Sequence, residues 1–213
     1  MNYQVIYLNS KSPEFGTGVF EGCKENIHIY GPLSFEGKFN GKEVILASYR
    51  AGRYSYAYFN SSNGNMFVYG FGLTYDIKSS NDQPWREHHN NTLSLKFTYG
   101  MQSIGSHCFE GCTSLSSIEL PNSIESIGSQ AFFNCSSLTS ITLPKSLTSI
   151  RSWMFADCSS LTNINIPNGI TNIKEYAFEG CKSLEYVEWP GTIITTNKKI
   201  FKGKEIITYN VFW

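Results

Sequence analysis

Ile127-Gly128-Ser129-Gln130-Ala131-Phe132-Phe133-Asn134-Cys135-Ser136-Ser137-Leu138-Thr139-Ser140-Ile141-Thr142-Leu143-Pro144 is the stretch that decides how this chain folds. Shifted in either direction by the interval that separates Phe109 from Phe132, its apolar positions recur. Phe109, Phe132, Phe155, Phe178 and Phe201 keep one beat, and Cys112, Cys135, Cys158 and Cys181 keep another. A period of this length, held without insertion, is the signature of a solenoid: one coil cannot cover its own apolar stripe, so neighbours stack to bury it.

Within each period Ile118 and Leu120 alternate with polar residues, which is the period-two pattern of a short strand. The matching pairs are Ile141 and Leu143, Ile164 and Ile166, and Val187 and Trp189. Pro121, Pro144, Pro167 and Pro190 follow, and a residue without an N–H ends a strand. Ile124 and Ile127 re-enter the core on the far side of the coil. Gly105 and Gly128 follow that return and are expected to permit a tight bend, although Arg151 and Lys174 hold the same place later. Ser129 to Cys135 reads as a short helical turn that carries Phe132 inward. Leu95 and Phe97 lie one period before Ile118 and Leu120, so a strand there is expected to start the sheet. At the other end Asn210, Phe212 and Trp213 fall on the columns of Val187, Trp189 and Pro190. The expectation is an open edge at the last strand, and uncovered edges invite pairing with another chain.

The quoted stretch resembles the BspA-type leucine-rich repeat. It departs from the common leucine-rich repeat, which has Asn or Cys three residues after the strand leucine; here Ser123, Ser146, Gly169 and Thr192 stand there. The resemblance is strong from Leu95 to Trp213 and implies a β-rich α/β solenoid of about five coils over residues 95–213. It also implies a non-catalytic, protein-binding activity, since proteins of this family are typically surface or secreted adhesins of bacteria and protozoan parasites.

Residues 1–94 lack the clean period and read as a β-rich capping domain. Asn40-Gly41 and Asn63-Gly64 are hairpin signals, with strands at Glu43–Ala47 and Met66–Tyr69. The stretch from Met66 through Pro84-Trp85 to Leu95 resembles the leader that precedes such repeats. Phe20-Glu21-Gly22-Cys23 copies Phe109-Glu110-Gly111-Cys112, but Asn26 replaces the leucine that should follow.

Totals narrow the function. Seventeen basic and 17 acidic residues give a net charge of zero, which supplies no electrostatic reason to expect nucleic acid or an anionic membrane. No run approaches the roughly 18 apolar residues of a spanning helix. Met1–Asn9 carries no basic n-region and too short an apolar run for a signal peptide. The expected location is therefore cytoplasmic or cytoskeletal, against the cell surface that the resemblance implies.

No cofactor, metal or catalytic residues are expected. The cysteines lack zinc spacing and read as free, buried, inert thiols; Cys108 falls on the core column of Ala131, Met154 and Ala177. His88-His89 beside Glu87 reads as a solvated loop. No nucleophile elbow or phosphate loop is present. Three glycosylation-type tripeptides begin at Asn60, Asn90 and Asn134, and chance accounts for such matches in an Asn/Ser-rich chain.

The candidate binding face is the outward side of the strands. One column is Lys96, Glu119, Thr142, Asn165, Glu188 and Val211; the other is Ser94, Ser117, Ser140, Asn163, Tyr186 and Tyr209. Glu119, Thr142, Asn163, Asn165, Tyr186, Glu188 and Tyr209 are its expected contact residues, with exposed Tyr favouring recognition at the C-terminal end. Tyr49, Tyr54, Tyr56 and Tyr58 with Arg50 and Arg53 form a second aromatic patch, equally consistent with a hairpin packed on the repeats. The partner is a protein of unknown identity. The alternative is an intracellular scaffold held within a cytoskeletal or other large assembly.

Overall fold

The computed structural model describes residues 49–190, apart from Tyr54 and Tyr99, together with Ile200. Five strands at 4–7, 27–31, 38–39, 42–46 and 207–211 are described as backbone only, as are residues 186 and 188–190. The strands are β1 (Gln4–Tyr7), β2 (Ile27–Gly31), β3 (Lys38–Phe39), β4 (Lys42–Leu46), β5 (Tyr49–Arg50), β6 (Ser55–Asn60), β7 (Asn65–Gly70) and β8 (Gly72–Leu73). They continue as β9 (Ser94–Phe97), β10 (Met101–Ile104), β11 (Ser117–Glu119), β12 (Ser126–Ile127), β13 (Ser149–Ile150), β14 (Asn172–Ile173), β15 (Tyr186–Pro190) and β16 (Ile207–Val211).

The repeat is written into the pairing. β9 and β11 run parallel with Ser94 beside Ser117, and β10 and β12 with Ser103 beside Ser126, each one period apart. β13 and β14 continue the return side, with Ile150 beside Ile173. On the front side the middle coils narrow to one bridge, Thr142 beside Asn165. The alternating pattern thus marks the right residues, but the expected stop at each proline does not hold throughout: Pro190 lies inside β15, paired with Val211. Leu95 and Phe97 do not start the sheet: β9 pairs with β7, which joins β6 and β5 in the order β11-β9-β7-β6-β5. The sheet therefore runs on across residue 94.

The segment expected to be a short helical turn is not helical. Among the described residues there is no α-helix, only 3-10 turns at Ser80–Asp82 and Arg86–Asn91. Each coil's turn instead carries two left-handed residues four apart. His107, Gln130, Trp153 and Tyr176 have φ between 57° and 60°, and Gly111, Asn134, Asp157 and Gly180 between 57° and 80°. The second set is Gly, Asn or Asp, the residues that tolerate this region. Two such residues per turn stop an α-run, yet Phe132 is buried as expected.

The Phe column is the spine of the core. Phe109, Phe132, Phe155 and Phe178 are all buried, and successive rings stack 5.7–6.0 Å apart at interplanar angles of 7–15°. Trp85 extends the stack at one end, 5.3 Å from Phe109, and its indole N–H donates to the Cys108 carbonyl at 2.9 Å. Backbone bonds tie the same column, for example Phe155 N–H to Ala177 O at 2.9 Å. Phe201 lies outside the described residues.

Cys108, Cys112, Cys135, Cys158 and Cys181 are free and buried. Each of the last three donates its S–H to a Phe carbonyl one coil back, as Cys181 does to Phe155 O at 3.1 Å. Burial pushes Cys108 and Cys112 up to about 12 and raises Cys135 and Cys158 well above the usual thiol range.

Gly105 and Gly128 serve close approach rather than a bend. A Cβ on Gly105 would stand 2.1 Å from the Tyr75 carbonyl oxygen, and one on Gly128 would stand 2.3 Å from Ser106 N. Neither glycine has positive φ.

The N-terminal strands form a separate sheet in the order β1-β2-β4-β3. β3 and β4 pair antiparallel, and Asn40-Gly41 lies outside the described residues. Asn63-Gly64 closes the β6–β7 hairpin through a four-residue loop between Asn60 and Asn65, with Gly64 at φ 68°. β1 and β2 are parallel with Gln4 beside Ile27, the spacing of the repeat itself. Phe20 to Cys23 lie outside the described residues.

Candidate functional site

Side chains alternate across a strand, so burying Leu95, Phe97 and Ile118 turns Lys96, Ser117 and Glu119 outward. Thr142, Asn163 and Asn165 are exposed beside them, as expected. Register then reveals a longer row than the period alone shows. Tyr58 pairs with Phe67, Phe67 with Lys96, and Lys96 with Glu119; Thr142 and Asn165 follow. A second row runs Asn60, Asn65, Ser94 and Ser117.

The row is chemically graded. At the β6–β7 end Tyr58 and Phe67 stack at 6.5 Å and 22°, with Tyr56 and Tyr69 beside them at 5.9 Å and 28°. Lys96 Nζ meets Glu119 Oε2 at 2.6 Å. Both are over half exposed, so the pair orients the two side chains more than it stabilises the fold. Ser94 Oγ donates to Asn65 Oδ1 at 2.7 Å. Beyond lie the hydroxyls and amides of Ser140, Thr142, Asn163 and Asn165. The period could not show Phe67 in this row. Coil-to-coil contacts such as Ser116 Oγ to Leu93 O span 23 positions, whereas the β7–β9 step, marked by Ser94 on Asn65, spans 29.

The C-terminal end of the row differs from expectation. Tyr186 and Glu188 lie on β15 and Tyr209 on β16, but Tyr209 pairs with Glu188, not with Tyr186; Ile207 takes that place. The step from β15 to β16 is therefore shorter than the period by two, whereas Phe178 N–H still bonds Ile200 O, close to full-period spacing. An even slip keeps the two-residue alternation in phase, so 186, 188 and 209 still share a face. Asn210 accordingly pairs with Trp189, not with Val187.

The second aromatic patch divides. Tyr56 and Tyr58 join the outward row, and Arg50, paired with Tyr56, donates to the carbonyls of Gly52 and Arg53. Tyr49 pairs with Ala57 and reaches the opposite side. Tyr54 lies outside the described residues.

His88 and His89 are not in a solvated loop. Tyr49 donates its single hydroxyl proton to Glu87 and accepts from His88 Nε2 at 2.7 Å, and Phe59 stacks on the His88 ring at 4.1 Å. Burial, then hydrogen bonding to Glu87, pushes Tyr49 up to about 12. His89 donates to Gln83 Oε1, and Gln83 donates to the carbonyls of His107 and Glu110. His107 in turn donates to Glu110. These groups clasp residues 49–91 to the first turn of the repeat. Nothing in the residue types signalled it, because the partners that join the two parts, Gln83 with His107 and with Glu110, are 24 and 27 positions apart. Among the described residues, no group of three His, Cys, Asp or Glu is placed to hold a metal ion, and no helix is long and apolar enough to cross a membrane.

Comparison with known proteins places the repeat. The family model for the BspA type leucine rich repeat region matches residues 87–208 in six copies. The structure is similar to a leucine rich cell surface protein from Faecalibacterium prausnitzii, with TM-score 0.56 and 22% identity over 97% of this chain and 59% of that one. It is also similar to leucine-rich repeat proteins from Bacteroides ovatus (TM-score 0.54, 23% identity, 98% of this chain and 42% of that one) and Eubacterium ventriosum (0.56, 20%, 68% and 44%). The chain thus spans roughly half the length of these structures, and at such identities the likeness concerns the fold. A search of curated protein sequences finds no match. With six copies of the repeat matched over more than half of its length, the chain belongs to the BspA-type leucine-rich-repeat family.

Proposed function

We propose that this protein is a non-catalytic binding module that holds a partner protein on the outward strand face of a solenoid. The observation that carries the reading is the row Tyr58, Phe67, Lys96 and Glu119, in register across paired strands, which the bridged pair Thr142 and Asn165 continues at the spacing of the repeat. Its first two members are half-buried and the other four exposed. Its aromatic end suits an energetic anchor and its hydroxyl and amide end a polar rim. Residues 95–213 form the solenoid and 1–94 its cap, with the family and the cell surface protein among the structural neighbours supporting an adhesive role at a surface.

A second reading is an intracellular scaffold. It is favoured by large apolar side chains exposed elsewhere: Phe71 at 58%, Leu73 at 59% and Leu93 at 49%. Contacts on several faces, and pairing of the β16 edge with a neighbouring chain, suit a component wedged into an assembly.

Antibody staining of native cells with and without permeabilisation separates the two. Signal on intact cells supports adhesion; signal only after permeabilisation supports the scaffold. A photo-crosslinking residue at Thr142 tests the face itself. Adducts with a protein are expected there, and Phe67→Ser is expected to remove them without unfolding the chain. Adducts equally strong with Phe67→Ser, or from a control position at Lys78, overturn the strand-face reading.

A further inference from the structure

The return side of the coils carries a feature that the strand face does not explain. β12 and β13 are not paired, so the return-side sheet stops at β12 and resumes at β13. Over this seam lies a cleft of about 280 Å³, whose lining includes Leu73, Asp76, Ser106, Ser129 and Arg151. Arg151 stands where the preceding coils have Gly105 and Gly128.

Three observations describe its chemistry. First, Asp76 is exposed at one end, its Oδ1 accepting the Ser106 N–H at 2.6 Å, and among the described residues its carboxylate forms no ion pair. Second, Arg151 is exposed at the other end, and among the described residues it too forms no ion pair. Third, Phe71, Leu73 and Tyr75 alternate along the edge strand β8 and its flanks, all on the solvent side, while Thr74 between them is buried. Three large apolar groups on one exposed face of an edge strand constitute a contact surface.

Along the stack, Asp76, Ser106 and Ser129 share one column, and Arg151 stands beside that column's next member, Ser152, so the cleft runs from carboxylate through two hydroxyls to guanidinium. Asp76 follows β8 and Arg151 follows β13, three strand spacings or roughly 15 Å away. Turned end for end, the row reads guanidinium, hydroxyl, hydroxyl, carboxylate, which is its own complement. A two-fold interface demands that property, since the same patch must meet itself. The axis would pass between Ser106 and Ser129. The apolar trio of one copy would then lie at the level of the other's third coil. There Trp153 follows Ser152 in the Ser106 and Ser129 column and stacks on Tyr176 at 4.5 Å.

We infer that the return-side cleft between Asp76 and Arg151 is the interface of a two-fold homodimer, in which Asp76 of each copy pairs with Arg151 of the other. Charge sets the register, and the apolar trio against the aromatic pair supplies most of the affinity. The inference stands independently of the strand-face reading.

Sedimentation velocity on the full chain tests it, with circular dichroism to confirm folding. Wild type is expected to show a concentration-dependent monomer–dimer equilibrium. Each reversal strikes both symmetric ion pairs, so Asp76→Arg and Arg151→Asp are each expected to raise the dimer Kd about tenfold or more. The double reversal is expected to recover most of the loss. Asp76→Asn keeps the acceptor for Ser106 and removes the charge, so it should weaken the dimer with the fold intact. A chain that sediments as a monomer at every concentration overturns the proposal. A dimer indifferent to the single reversals, or not recovered by the double, overturns it as well and places the contact on another face.

Discussion

Replacing Phe155 by Ala tests whether the Phe column holds the repeats together. The ring is fully buried and stacked on both faces, 5.8 Å from Phe132 and 5.7 Å from Phe178. Truncating a buried Phe costs about 3–5 kcal/mol from lost transfer energy and the cavity left behind. Each aromatic stack adds ~0.5–1.5 kcal/mol beyond area, and a central ring loses two. The expected loss is therefore at the top of the range, about 4–5 kcal/mol, against a total of ~5–15 kcal/mol for a domain. Urea denaturation followed by far-UV circular dichroism measures it, with Phe133→Ala on the half-exposed side of the preceding coil's turn as the reference at about 1 kcal/mol. Phe155→Leu keeps most of the volume and loses the stacks, so it should cost about 1–2 kcal/mol. The pair Phe132→Leu and Phe155→Leu should be non-additive by ~0.5–1.5 kcal/mol. A loss below about 2 kcal/mol for Phe155→Ala, or strict additivity of the Leu pair, would refute the stacked-column account.

Gly128→Ala should destabilise by about 1–3 kcal/mol, since the added carbon meets Ser106 backbone rather than a movable side chain. Arg151→Ala, in the same column, should stay within about 0.5 kcal/mol of wild type; equal effects at the two sites would contradict the close-approach argument. The five buried thiols should resist a thiol reagent at neutral pH until the protein unfolds. Modification of two or more thiols in the native state would show that the column opens. His89 predicts a pH response. Burial, then the nearby Arg86, holds its pKa below 6.5, with Glu110 opposing and His88 adding to the lowering. The unfolded chain thus binds the proton first, and stability present above about pH 6.5 is lost as pH falls below it. Thermal melts from about pH 7.5 to about pH 5 should show this slope, and His89→Gln should flatten it; identical slopes would exclude His89 as the cause.

Most of the fold was legible because the repeat writes the same instruction several times over. Phe109 to Phe178, the cysteine column and the strand residues Leu95, Ile118, Ile141 and Ile164 are buried where the period puts them. Asn63-Gly64 marks a hairpin because its turn chemistry is local. The outward positions Glu119, Thr142, Asn163 and Asn165 were legible for the same reason: once one face is buried, alternation sets the other. The turn geometry was not. Trp153 and Tyr176 adopt φ near 60° although neither favours it. Coil-to-coil bonds such as Asp157 N–H to Glu179 O impose that conformation.

By itself, then, the sequence determined what depends on spacing and local chemistry: the period, the core columns, the turns, the absence of net charge and the identity of the outward strand residues. The tertiary structure decided what depends on unequal connections. Phe67 joins Lys96 across a connection longer than the period, and Tyr209 settles beside Glu188 across one that is shorter. Gln83, His88 and His89 find partners in strands and turns outside the period. A periodic pattern specifies contacts only between equivalent positions. Where connections differ in length, packing and hydrogen-bond satisfaction choose the register, and a chain read residue by residue does not contain that choice.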